Sequence, residues 1–142
     1  LLVPLAYGAF VFLLSRFARA EDGEAPLEAP SLRAGLFCTM TLLPLPALLA
    51  GLALGSPVGG TLGALLAVSG APGIISAARD SSAWTRQRVS HSVGLLLRRL
   101  LLISASIALA SAPLGPAGLW GACLILAGYP LAKGLRFVAP PS

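Results

Sequence analysis

Residues 34–54, AGLFCTMTLLPLPALLAGLAL, and residues 61–78, TLGALLAVSGAPGIISAA, contain no charged side chain. Only GSPVGG, residues 55–60, separates them. Each stretch is close to the roughly 20 apolar residues that an α-helix needs to cross a bilayer. In lipid every backbone N–H and C=O must be bonded internally, so apolar stretches of this length are read as helices. The pair reads as two membrane spans joined by a tight turn, with Pro44 and Pro46 predicting a kink in the first.

The rest of the chain repeats the pattern. Residues 1–14 form a first apolar segment, followed by Arg16 and Arg19. Residues 20–33, AEDGEAPLEAPSLR, read as an exposed loop, with Ser31 as a candidate cap for the second span. Residues 79–92, RDSSAWTRQRVSHS, are polar and basic. A fourth span at 93–112 is interrupted by Arg98 and Arg99, an uncharged turn follows at 111–118, and a fifth span covers 119–135. We therefore expect one all-α integral membrane domain over 1–142, with about five transmembrane helices.

Composition leads to the same class. Hydrophobic residues make up 56% of the chain and charged residues 11%, with a mean hydropathy of +0.87. Soluble domains carry about 25% charged residues. The net charge of +5 and pI near 10.3 would suggest nucleic acid in a soluble protein. Here the basic residues sit at span ends, where they set orientation and meet anionic headgroups, so no nucleic-acid partner is expected.

Five crossings sort the charges onto one face. Glu21, Asp22, Glu24, Glu28 and Asp80 share it with Arg16, Arg19, Arg33, Arg79, Arg86, Arg88, Lys133 and Arg136, and Arg98 and Arg99 lie in the helix end nearest to it. The turns at 55–60 and 111–118 on the opposite face carry no charge. The positive-inside rule then directs the charged face and the C-terminus toward matrix, stroma or cytoplasm. An organelle inner or thylakoid membrane is expected, with a bacterial inner membrane as the alternative. Position 1 is Leu rather than Met, which fits a processed or trimmed chain.

Three features are candidates for function. Gly51, Gly55, Gly59 and Gly63 recur every four residues, a spacing that lets helix backbones approach closely. We expect them to line a hairpin between spans two and three, or to dock a partner helix. Arg86, Arg88, Arg98 and Arg99, with Trp84, form a basic cluster suited to an anionic lipid head, a cofactor phosphate or an acidic partner. Arg98 and Arg99 start roughly 8 Å inside a span that begins at Val93, within snorkelling reach of headgroups. His91 is the single histidine and a weak candidate ligand for haem iron or a pigment magnesium. Cys38 and Cys123 fall at different depths and are not expected to pair. No metal site is expected.

No Asp or Glu lies inside a span, which argues against an ion pump, and no nucleophile–base set or phosphate loop is present. The chain is thus expected not to be an enzyme. It reads as an accessory, structural subunit of a large respiratory or photosynthetic electron-transport complex, without an intrinsic cofactor. Its partners would be other transmembrane subunits and anionic lipids, with bound lipid or pigment as an added component. The alternatives are a small transporter or channel component, or a membrane enzyme component that binds an anionic lipid at the charged interface.

Overall fold

The computed structural model describes residues 1–22, 29–80, 84–111, 113 and 115–138, and the side chains within these save at 21, 22, 29, 129 and 131–138. Residues 23–28 of the loop expected at 20–33 and the tail at 139–142 lie outside the described residues, as do the side chains of Glu21, Asp22, Lys133 and Arg136, while 20–22 and 29–33 are helical and not loop.

The described residues form α-helices and no strand. In chain order they are α1 (Leu2–Asp22), α2 (Ala29–Leu42), α3 (Leu45–Ala53), α4 (Pro57–Val68), α5 (Ala71–Arg79), α6 (Arg86–Ala110) and α7 (Pro116–Val138). Four segments are long and apolar enough to cross a membrane: Leu2–Ala20, Pro30–Ala53, Pro57–Arg79 and Arg86–Ala110. In α7 the apolar part is the shorter Pro116–Gly128. This is an all-α membrane protein.

Two of the spans are broken helices. α2 stops at Leu42 and α3 starts at Leu45, across Pro44, as the sequence predicts. Pro46 and Pro44 lack the N–H that a continuous helix would need, and the Leu43 N–H bonds instead to Met40 O, three residues back, at 3.3 Å. α4 and α5 are divided at Ser69 and Gly70. There Pro72 cannot donate to the carbonyl four residues before it.

Several ends differ from those expected, for local reasons. α1 continues to Asp22 because, after Pro4 in its first turn and Gly8, no Gly or Pro occurs before position 23. α2 begins at Ala29 and takes Pro30 into its first turn, where a missing N–H costs nothing, so Ser31 is inside the helix and not its cap. The turn expected at 55–60 shrinks to Leu54–Ser56. Gly55 has φ +65°, the Ser56 N–H donates to Gly51 O at 2.7 Å, and the Ser56 Oγ caps α4 by accepting from the Gly59 N–H at 3.3 Å. α6 begins at Arg86, not Val93, because Thr85 caps it by accepting from the Arg88 N–H at 3.3 Å.

α6 is the central helix and touches α1, α3, α4, α5 and α7. Its buried seam runs through Val89, Leu96, Ile103 and Ala110, each seven residues beyond the last and each fully buried. That period keeps one stripe of the helix against its neighbours. Phe10, Leu14 and Phe17 of α1, Leu32 and Leu36 of α2 and Ile74 of α5 complete the core. Leu52, Val58, Leu65, Trp120 and Leu124 are exposed, on the outer surface that lipid covers in a membrane protein.

Candidate functional site

The four arginines of the expected basic cluster divide into different environments. Arg88 stands one turn into α6, facing the C-terminal end of α5. Its Nη2 donates to Asp80 O at 2.9 Å and to Ala77 O at 3.1 Å, and lies 3.7 Å from Asp80 Oδ2. Its guanidinium carbon sits 4.1 Å from the centroid of the Trp84 ring. The last carbonyls of a helix have no partner inside it and carry the negative end of its dipole, so a cation fits there. From α2, Arg33 Nη2 reaches the same Asp80 carbonyl at 3.4 Å. Three elements are thus tied together where α5 ends.

Arg86 is exposed at the first residue of α6. Arg98 is partly buried and its Nε donates to Gly94 O, one turn back on the same helix, at 3.0 Å. Arg99 turns the other way, into the bundle. A Cβ built on Gly70 would stand 2.7 Å from Arg99 Cδ, and one built on Gly73 would stand 2.7 Å from Arg99 Nη2. The Arg99 side chain therefore lies across the α4–α5 break, over Gly70 and Gly73. Its Nε is buried and has no hydrogen-bond partner among the described residues. Arg99 as a whole is half-buried, with its guanidinium over the α4–α5 break.

Between α5 and α6 runs a slot of about 260 Å³, from Gly73 and Leu95 at its inner end to Asp80, Arg88 and His91 at the outer end. Ser76 and Ser92 line it between them. His91 is exposed at this mouth. Among the described residues no three His, Cys, Asp or Glu side chains come together. A second groove, about 410 Å³, lies between α1 and α2 and is lined by Leu13, Arg16, Phe17, Ser31 and Leu32.

The glycine row serves three separate contacts. Gly51 faces Gly60 across the α3–α4 hairpin, where a Cβ on Gly60 would stand 3.0 Å from Gly51 Cα. Gly59 and Gly63 pack their backbones on the carbonyls of Ala110 and Ser106 in α6. Gly55 packs against nothing within 4 Å of its would-be Cβ, and its place in the row is a left-handed turn, not a helix contact. Cys38 and Cys123 are free and exposed.

Sequence reasoning passed over Gly60, Gly70, Gly73, Arg33 and Asp80. Gly60 falls outside the four-residue period, and Gly70 and Gly73 look like breakers next to Pro72. Trp84 precedes the Thr85 cap of α6, so its contact with Arg88 comes from the capping turn and not from a helical spacing. The chain matches no family model, no curated protein and no solved structure.

Proposed function

We propose that the chain is an accessory, structural subunit of a larger membrane-embedded complex of the energy-transducing kind. It would sit in an organelle inner or thylakoid membrane, or a bacterial inner membrane, with its charged face and C-terminus toward matrix, stroma or cytoplasm. The observation that carries this is a bundle centre closed by backbone-on-backbone contact. Gly59 and Gly63 of α4 seat directly on α6 carbonyls, and Gly51 seats on Gly60. The buried hydroxyls of Thr39 and Ser106 turn back onto Leu36 O and Ile103 O of their own helices, each at 2.7 Å. A centre of this kind supplies rigid shape and helix surface. Extraction in mild detergent, size separation and mass spectrometry of the co-migrating proteins test the proposal. The expected result is migration far above the 14.4 kDa of the chain, together with subunits that carry haem, flavin, iron–sulfur or pigment absorbance. Migration of the chain alone, or only with copies of itself, would overturn it.

One observation favours a second reading, a small transporter component. Broken spans with charged groups at the break build substrate sites in transporters, and Arg99 lies at the α4–α5 break. Anion-driven flux in proteoliposomes that is lost in Arg99→Gln would select this reading over the first.

A further inference from the structure

α1 carries two cations near the end of an apolar span. Arg16 and Arg19 are the first charged side chains of the sequence, and both fall in the last turns of the membrane-length segment Leu2–Ala20. Spaced three apart, they stand on one face of the helix. Both are exposed, and neither makes a hydrogen bond or ion pair among the described residues. Arg33, Arg88 and Arg98, by contrast, each donate to a backbone carbonyl. A charged side chain within a span is costly unless an opposite charge or the headgroup layer meets it.

Two concavities adjoin at this pair. One, about 400 Å³, follows α1 past Phe12, Ser15, Arg16 and Arg19, which stand at positions i, i+3, i+4 and i+7 of one helix face. The other is the groove of about 410 Å³ between α1 and α2. Arg16 and Ala20 line both, so the two are continuous. Phe17 and Leu32 give the groove an apolar floor, at 4% and 7% exposure. The Phe17 ring lies close over Gly35 of α2, where a Cβ would stand 2.7 Å from Phe17 Cε2. From Ala20 to Leu13 the groove runs about 10 Å along α1, toward the middle of the span. Unpaired positive charge therefore stands at the outer end, and an apolar channel leads inward from it. Charge followed by hydrocarbon is also the order of groups in a phospholipid.

We propose that Arg16, Arg19 and the α1–α2 groove form a binding site for one anionic phospholipid, its phosphate on the two guanidinium groups and an acyl chain along Phe17 and Leu32. Arginine suits the head because its planar fork donates two parallel hydrogen bonds to phosphate oxygens. A zwitterionic head would bring its own cation up to two others, so a lipid with net negative charge is favoured. Free phosphate would meet the arginines and leave the groove unfilled, so the occupant is a lipid. The site includes none of Arg86, Arg88, Arg98 and Arg99, and it holds whether the chain works alone or as a subunit.

The test uses the full chain, purified in mild detergent and reconstituted into nanodiscs of phosphatidylglycerol and phosphatidylcholine in equal parts. Native mass spectrometry counts the lipid retained on release, and inorganic phosphate is offered separately to the detergent-solubilised protein. Phosphatidylglycerol should be retained in preference to phosphatidylcholine, without phosphate uptake. Arg16→Gln combined with Arg19→Gln should weaken that retention roughly tenfold or more, the factor for losing one charge-assisted hydrogen bond. Ala34→Phe places a ring at an exposed position lining the groove and keeps both charges. It should also lower retention, and it remains informative if the double variant does not fold. Arg79→Gln removes an exposed arginine that lines neither concavity and should retain lipid as wild type does. Equal retention of the two lipids, phosphate uptake without lipid, unchanged retention in either folded site variant, or an equal loss in Arg79→Gln would overturn the proposal.

Discussion

The Nη2 atom of Arg88 lies 2.9 Å from the backbone carbonyl of Asp80 and 3.7 Å from its carboxylate, so one nitrogen binds both ends of the same residue. The two contacts do not have equal weight. The Arg88 side chain is 12% exposed and that of Asp80 52% exposed. The carboxylate contact is therefore screened by solvent, whereas the same nitrogen's 3.1 Å contact with the Ala77 carbonyl is part-buried. Arg88→Gln should destabilise the protein by about 1.5–3 kcal/mol, the range for hydrogen bonds to a charged group. Asp80→Asn should cost no more than about 1 kcal/mol. Thermal unfolding in detergent, compared across the two variants, checks the order, and an equal loss in both would show that the carboxylate carries the contact.

The α4–α6 interface yields a prediction with an internal control. A methyl group on Gly59 or Gly63 would run into a backbone carbonyl of α6, which cannot rotate away as a side chain can. Gly59→Ala and Gly63→Ala should each destabilise by about 1–3 kcal/mol, the usual range for overpacking. Gly8→Ala on α1 meets nothing within 4 Å and should be neutral or stabilising by up to about 1 kcal/mol, because alanine is the better helix former. Unfolding midpoints measured in one detergent give all three values.

Gly55 belongs to a different mechanism although it shares the four-residue spacing. At φ +65° a residue with a side chain is strained, and asparagine is the one that tolerates the region best. Gly55→Leu should cost about 1–2 kcal/mol through the backbone, and Gly55→Asn clearly less. If Leu and Asn unfold at the same temperature, the turn is not what Gly55 provides.

Labelling tests the sidedness of the bundle. In a background of Cys38→Ser and Cys123→Ser, Leu54→Cys marks the α3–α4 turn and Gln87→Cys the start of α6, both exposed positions. A membrane-impermeant thiol reagent applied to sealed vesicles should reach one of them and not the other. Modification of both from the same side would remove the alternation on which the distribution of charge rests.

The membrane class and the Pro44 break were legible in the sequence because uncharged length and a missing N–H act locally. The start of α6 was not. RQRVSHS, residues 86–92, looks like a polar loop, yet Val89 and Ser92 already belong to the buried seam that continues through Leu96. Counting from Val93 placed Arg99 near a membrane boundary. Counting from Thr85, the residue that caps the helix, places it at mid-helix. Its inward direction is set by Gly70 and Gly73 on another span, a pairing that no spacing along α6 encodes. Gly55 was misplaced for the opposite reason, since it fits a period whose cause it does not share.

The connection of Leu54, Gly55 and Ser56 is too short for α3 and α4 to enter a bilayer one after the other, with the first waiting across it for the second. During biosynthesis the two halves would leave the translocation machinery as a preassembled hairpin, with Gly51 already against Gly60. No charged group sits at its tip, so passage of that tip through the hydrocarbon avoids the penalty of roughly 2.5–3.5 kcal/mol that each Asp, Lys or Arg at the bilayer centre would impose. The brevity of the turn thus bears on how the protein gets into the membrane as much as on how it is held together there.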